Sequence, residues 1–263
     1  MSEFLFNEFE KSSAAAWKQK IQVDLKGADY NDTLLWKTNE DVVVKPFYTS
    51  DDRTHQQIKI PKKGFTICQT IFIDDEKIAN SLALDALKRG AKAIQFKANS
   101  KFDYKIVLQN INLKKTLVYF NFSFLNDEFQ VELSKFINSK NTYFQTDIIG
   151  NLAETGNWFI NLKEDHKKLE NIVKSTNNCI SISGDLYQNA GANIVQQLAY
   201  SLAHANEYLN HFGGEIASKI HFKFSVGSNY FFEIAKLRAF RVLWKTLLEE
   251  EYQVKNTTAY LFV

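Results

Sequence analysis

One pattern restricts this chain more than any other. Short apolar runs able to form strands alternate with stretches able to form amphipathic helices, joined by brief polar turns. It is clearest near the C-terminus, where residues 220–226 alternate enough for a strand and Gly227-Ser228-Asn229 supplies turn and N-cap chemistry for a long helix. Along that helix Tyr230, Ile234, Leu237, Phe240, Trp244, Leu247 and Leu248 recur at three- and four-residue steps, which predicts one continuous apolar face. Strands alternating with helices select a parallel sheet with right-handed crossovers.

The unit repeats from Gly64 onward. Strands are expected at 65–73, 93–97, 116–122, 143–149, 179–184, 219–226 and 258–263, and helices at 75–89, 104–110, 127–139, 164–175 and 190–209. No reversal of strand order is visible. The expected fold class is therefore α/β, a TIM-type (β/α) barrel rather than a doubly wound sheet. With about seven strands where closure takes eight, the barrel is read as incomplete. Ala259-Tyr260-Leu261-Phe262-Val263 is a core strand with nothing after it. That predicts either a piece of a longer natural protein or a gap covered by a partner.

Residues 1–62 read differently. A helix is expected over 10–25, capped by Ser12 or Ser13, with Trp17, Ile21 and Leu25 on one face and Lys26-Gly27-Ala28-Asp29-Tyr30 ending it. Leu34-Leu35-Trp36-Lys37 and Val42-Val43-Val44, around Thr38-Asn39-Glu40-Asp41, suggest a hairpin. This helix-hairpin arm has too few apolar residues for a core of its own. It is expected to lie on the main domain, 63–263, or on a partner.

Composition mostly excludes. Lys and Arg number 32 against 30 Asp and Glu, so neither nucleic acid nor an anionic membrane surface is indicated as a partner. No apolar run approaches the roughly 20 residues that span a bilayer, and Met1-Ser2-Glu3-Phe4-Leu5 lacks the features of a signal peptide. Cys68 and Cys179, each within an expected strand, read as buried reduced thiols of a cytoplasmic protein.

In barrels of this type the chemistry sits where strands end. Those positions offer Thr70, Lys97, Asp147, Asp185, Gln188, Asn189 and Ser228, which assemble into no catalytic set. Residues 185–189 form the best candidate ligand-facing loop, although Asp185, with no basic partner in sequence, reads as a turn or cap residue. His55, His166, His204, His211 and His221 lack metal-ligand spacing and are expected at surface or capping positions, so no metal site is expected. Arg241 interrupts an apolar helix face and is expected to snorkel or pair with a carboxylate. Neither a nucleophile elbow nor a Gly-rich phosphate loop is present.

Two segments carry a resemblance. Ile182-Ser183-Gly184 with Gln188-Asn189-Ala190-Gly191-Ala192, and Gly227-Ser228-Asn229-Tyr230-Phe231-Phe232-Glu233-Ile234-Ala235-Lys236-Leu237-Arg238-Ala239, resemble motifs of the methylmalonyl-CoA mutase family. Leu25-Lys26-Gly27-Ala28-Asp29-Tyr30, Leu35-Trp36-Lys37-Thr38 and Val44-Lys45-Pro46-Phe47-Tyr48 resemble the arm of its small, or beta, subunit, and Thr66-Ile67-Cys68-Gln69 fits the first barrel strand. The resemblance implies a heterodimer. Its large subunit binds adenosylcobalamin and interconverts methylmalonyl-CoA and succinyl-CoA by radical chemistry, with substrate threaded along the barrel axis. The small subunit shares the fold without the chemistry, and the arm helps hold the chains together. Trp17, Trp36, Phe47 and Tyr48 are the expected interface anchors.

Departures from the family pattern point to the small subunit. Where the catalytic pattern reads Tyr-His-x-Gln after Ile-Ser-Gly, this chain has Asp185, Leu186, Tyr187 and Gln188. A tyrosine at the end of the first strand is Thr70, and arginines before and within it are Lys63 and Cys68. Leucine can neither donate a hydrogen bond nor transfer a proton. The chain is therefore expected to be non-catalytic and to bind no cofactor itself, with adenosylcobalamin in the large-subunit partner. Two alternatives remain. The barrel mouth holds an acyl-CoA with Lys97 or Lys223 near its phosphates, or the chain is an independent enzyme with Asp185 and Asp147 as acid and base.

Overall fold

Asp75, Asp103, Asn126, Asp147, Asn161, Asn193 and Asn229 each stand one residue before a helix, with a side-chain oxygen accepting from a backbone N–H of its first turn. Short polar side chains satisfy donors that a helix leaves orphaned, so these residues fix most of the helix starts. The computed structural model describes residues 8–10, 12–53, 64–255 and 257–263; His55 and Lys63 lie outside them. Two compact units result, residues 1–57 and 58–263.

In the first unit α1 (Ala14–Asp24) is capped by Ser13, α2 spans Tyr30–Leu34, and β1 (Trp36–Lys37) pairs antiparallel with β2 (Val43–Val44). The hairpin forms as expected but starts later. The Asp29 carboxylate accepts from the Asn31 and Asp32 N–H groups, which starts a helical turn through Leu34. Among the described residues of this unit only Thr38 is buried. Trp17, Trp36 and Tyr48 are each more than half exposed, with the Trp17 ring edge-on to Phe47 at 6.4 Å.

The second unit runs β3 (Cys68–Phe72), α3 (Glu76–Lys88), β4 (Ala93–Ala98), α4 (Tyr104–Val107), β5 (Leu117–Phe122), α5 (Asp127–Ile137), β6 (Thr142–Phe144), α6 (Ile148–Thr155), α7 (Leu162–Ser175), β7 (Ile180–Ser183), α8 (Gly184–Asn189), α9 (Ile194–Phe212), β8 (Ile220–Lys223), α10 (Tyr230–Glu251) and β9 (Leu261–Phe262). Strands β3-β4-β5-β6 form one sheet and β7-β8-β9 another, and every neighbouring pair is parallel. A single parallel bridge, Thr146 to Ile180, joins them. This is the α/β alternation the sequence predicts. The sheet is not closed, however: β3 and β9 each pair on one side only, so the expected barrel is not completed by the described residues.

Capping also explains where the elements depart from expectation. The strand expected over 143–149 stops at Phe144, because Asp147 turns its carboxylate onto the Gly150 N–H and opens α6. Residues 185–189, expected as a loop, are helical in α8, which starts directly at the end of β7. On α10, Phe240, Trp244 and Leu248 are buried, whereas Tyr230 (70 % exposed) and Ile234 (41 %) face solvent, so the predicted apolar face holds only beyond the first two turns. Ile94, Phe96, Val118, Phe120 and Phe144 pack with α3 and α5, while Ile180, Ile182, Ile220 and Phe222 pack with α7, α9 and α10. Arg241 meets no carboxylate among the described residues; Nη1 donates to the Leu237 carbonyl at 2.7 Å.

Candidate functional site

Alternation along a strand sends successive side chains to opposite faces. With the large apolar residues turned to the helices, Thr70, Gln95, Tyr119, Tyr143, Gln145, Ser181 and His221 share the other, inner face. Thr70 Oγ1 donates to Gln95 Oε1 at 2.8 Å, and Gln95 Nε2 donates to Gln145 Oε1 at 2.5 Å. Beside this chain lies an aromatic cluster. Tyr143 stacks on Tyr119 at 5.0 Å and on Tyr260 at 4.5 Å, Phe262 lies 4.9 Å from Tyr119, and the Tyr119 and Tyr260 hydroxyls share a hydrogen bond. Burial pushes the Tyr119 and Tyr143 phenols well above their ordinary range, with Tyr260 adding to both shifts.

His221 sits 5.4 Å from the Tyr143 ring, 1 % exposed, and neither ring nitrogen has a hydrogen-bond partner among the described residues. Burial drives its pKa down to about 3, against the opposing charge of Asp147. It is a neutral packing residue rather than the surface or capping histidine expected.

The second cluster is polar and was not expected as a unit. Asp147 Oδ1 accepts from His204 Nε2, from the Tyr208 hydroxyl and from the Gly150 N–H, each at 2.8 Å; Oδ2 accepts from the Ser183 N–H at 3.3 Å. On the far side of the imidazole, Tyr187 Oη is 3.0 Å from His204 Nδ1. Burial alone would raise the Asp147 pKa, but the charge and hydrogen bond of His204, with those from Gly150 and Tyr208, hold it below the ordinary carboxylate value. His204 is thus a buried partner of Asp147, not a surface residue. One signal could have found it: Gln197, Ser201, His204 and Tyr208 form a polar stripe at three- and four-residue steps on an apolar helix.

The remaining strand-end candidates are placed as follows. Asp185 does have a basic partner: Lys223 Nζ is 2.5 Å from its Oδ2, across the ends of β7 and β8. Among the described residues Gln188 keeps a buried Oε1 without a hydrogen-bond partner, while Lys97, Asn189 and Ser228 are exposed. Leu186 is half-buried. Cys68 and Cys179 are both free, and burial pushes their thiols up to about 12 and about 11. Cys179 is buried as expected; Cys68 is only partly so.

The sequence profile for methylmalonyl-CoA mutase matches residues 101–262, more than half of the 263 residues. The chain belongs to the methylmalonyl-CoA mutase family. It is 31 % identical, over 98 % of its own length and 47 % of the other's, to a methylmalonyl-CoA mutase small subunit from Porphyromonas gingivalis. It is 26 % identical to a methylmalonyl-CoA mutase of Cereibacter sphaeroides, over 89 % of this chain and 42 % of that one. To the mitochondrial enzyme of Homo sapiens it is 25 % identical, over 93 % of this chain and 40 % of that one. The chain spans less than half the length of each.

In this member of the methylmalonyl-CoA mutase family, the segment around Glu233 and Lys236 is built into the core. Lys236 Nζ, on a residue 1 % exposed, meets Glu233 Oε2 at 2.6 Å, Gln197 Oε1 at 3.0 Å and the Ser225 carbonyl at 2.7 Å. Glu233 Oε1 accepts from the Gly227 N–H at 2.9 Å. A buried pair one helical turn apart thereby fixes the loop that leaves β8.

Proposed function

We propose that this chain is the (β/α)-barrel portion of a non-catalytic small subunit of an adenosylcobalamin-dependent methylmalonyl-CoA mutase, and that it supports a large subunit which carries out the isomerisation. The observation that carries this reading is the filled inner face. If the two sheets curl into one barrel wall, Tyr119, Tyr143, His221, Tyr260 and Phe262 occupy the axis along which an acyl-CoA would have to thread.

The strand-end residues do not fit a corrinoid cofactor or its radical chemistry either. Leu186 offers no donor, acceptor or proton, and the Thr70 hydroxyl is spent on Gln95. Asp147 and Asp185, the pair considered for acid–base chemistry, are engaged by His204 and by Lys223. The exposed Trp17, Trp36 and Tyr48, in a unit with almost nothing buried, support an N-terminal segment made to be covered by another chain. The two free thiols suit a cytoplasmic setting. Among the described residues no helix is long and apolar enough to cross a membrane.

Co-expression with a large subunit tests the proposal. The two chains should co-purify, and Trp17→Ala with Trp36→Ala should weaken the complex without unfolding the chain. A chain that never co-purifies would end the reading. Calorimetry with CoA thioesters separates it from the acyl-CoA-binding alternative: a scaffold with a filled axis gives no heat of binding.

A further inference from the structure

A groove between α9 and α10 serves none of the clusters described above. It has a volume of about 470 Å³. Leu202 and Leu247 give it an apolar floor, and Asn206, Asn210, Glu251 and Tyr252 form a polar rim. Tyr252 Oη lies 2.7 Å from Asn206 Oδ1 and 2.6 Å from Asn210 Oδ1. A phenol has one proton and donates to one of these. At the other, the amide turns its NH₂ to the phenol, so both amides are held by Tyr252. Burial, followed by the charges of Glu251 and Glu207, pushes the Tyr252 phenol up.

The end of α10 gives the charge beside this groove its sign. α10 ends on Glu249-Glu250-Glu251 with no basic residue in its last turn. Carboxylates there add to the negative end of the helix dipole rather than opposing it. Among the described residues Glu249 is paired, with Lys245 at 3.7 Å, whereas Glu207, Glu250 and Glu251 make no ion pair. The helix end is thus uncompensated among the described residues, beside a groove lined by Leu202 and Leu247.

We propose that this groove docks an arginine side chain presented by a partner polypeptide, its methylenes on Leu202 and Leu247 and its guanidinium against Glu251. Arginine suits the site better than lysine. Its planar fork can pair with both oxygens of a carboxylate, and it is less strongly hydrated. The inference rests on charge and shape alone and does not depend on which partner the mutase reading assigns.

The test is a titration of the full ¹⁵N-labelled chain with N-acetyl-arginine amide, followed by amide spectra, with the N-acetyl-lysine and N-acetyl-glutamine amides as comparators. The expected result is movement of the Asn206 and Asn210 side-chain amides and the Tyr252 backbone, saturating at millimolar ligand. Affinity should fall about threefold or more in about 0.5 M salt. Glu251→Gln, at an exposed helix end that leaves folding intact, should abolish the shifts. Equal shifts with the glutamine amide, larger shifts with the lysine amide, or an unchanged response in Glu251→Gln would each overturn the proposal.

Discussion

Replacing His221 with phenylalanine is expected to remove much of the protein's loss of stability between pH 7 and pH 5. The imidazole is buried, with no hydrogen-bond partner at either nitrogen among the described residues. Burial outweighs the charge of Asp147 and holds its pKa at about 3, against about 6.5 in an unfolded chain. Because the folded value lies below the unfolded one, the unfolded chain takes up the proton first as pH falls. The stability that depends on a neutral His221 is complete above about pH 6.5 and drains away toward pH 3. From these two values, linkage gives a loss of about 2 kcal/mol between pH 7 and pH 5. Phenylalanine binds no proton, so the variant lacks this part of the slope. At pH 7 it shifts stability by a constant, since losing two orphan nitrogens helps while the larger ring crowds its neighbours by about 1–3 kcal/mol. The comparison is therefore between slopes. Urea unfolding at pH 7, 6 and 5, followed by tryptophan fluorescence to which the buried Trp244 contributes, measures both. Equal losses in the two proteins would refute the reasoning, because the imidazole would then be as free to ionise folded as unfolded.

Three further outcomes follow from the packing. His204→Ala strips Asp147 of its imidazole and should cost about 3 kcal/mol at pH 7 in urea unfolding. The Asp147 pKa is depressed in the fold, so its contribution is lost as pH falls through that value; without the imidazole the buried carboxylate is relieved by protonation, and the deficit should shrink on acidification. Gly184→Ala places a methyl 2.6 Å from Phe224 Cε1 and 2.8 Å from Ser201 Oγ, which should lower stability by about 1–3 kcal/mol and show as a reduced Tm. Both thiols, raised to about 12 at Cys68 and about 11 at Cys179, should ignore an aromatic disulfide reagent at pH 8 and react only once urea unfolds the chain.

Much of the architecture was legible because two local signals agree. Period-two apolar runs mark β4, β5 and β8, and an Asp or Asn one residue before the next periodic stretch marks the helix that follows. Where the signals conflict, capping wins: Asp147 ends a strand that its apolar neighbours Ile148 and Ile149 would have extended. The chemistry was less legible. Asp147 was readable as a strand-end residue, but its partner His204 lies 57 positions away and reaches it only once α9 packs. Likewise Asp185 has no base nearby in sequence, and Lys223 arrives through the register of β7 with β8. Nothing local marks His221 as buried, since its burial depends on Tyr143 from another strand.

The hydrogen bond between the Tyr119 and Tyr260 hydroxyls joins positions 141 residues apart, and it orders events during synthesis. The strands β3 to β6 can assemble once Phe144 has left the ribosome, yet their aromatic surface stays wet until Tyr260 and Phe262 emerge. At about 5–20 residues per second that interval is on the order of ten seconds, during which a nascent chain carries a sticky half-built sheet. Strand β9 thus covers a sheet made well before it, and release of a chain short of Tyr260 would leave that surface open to aggregation.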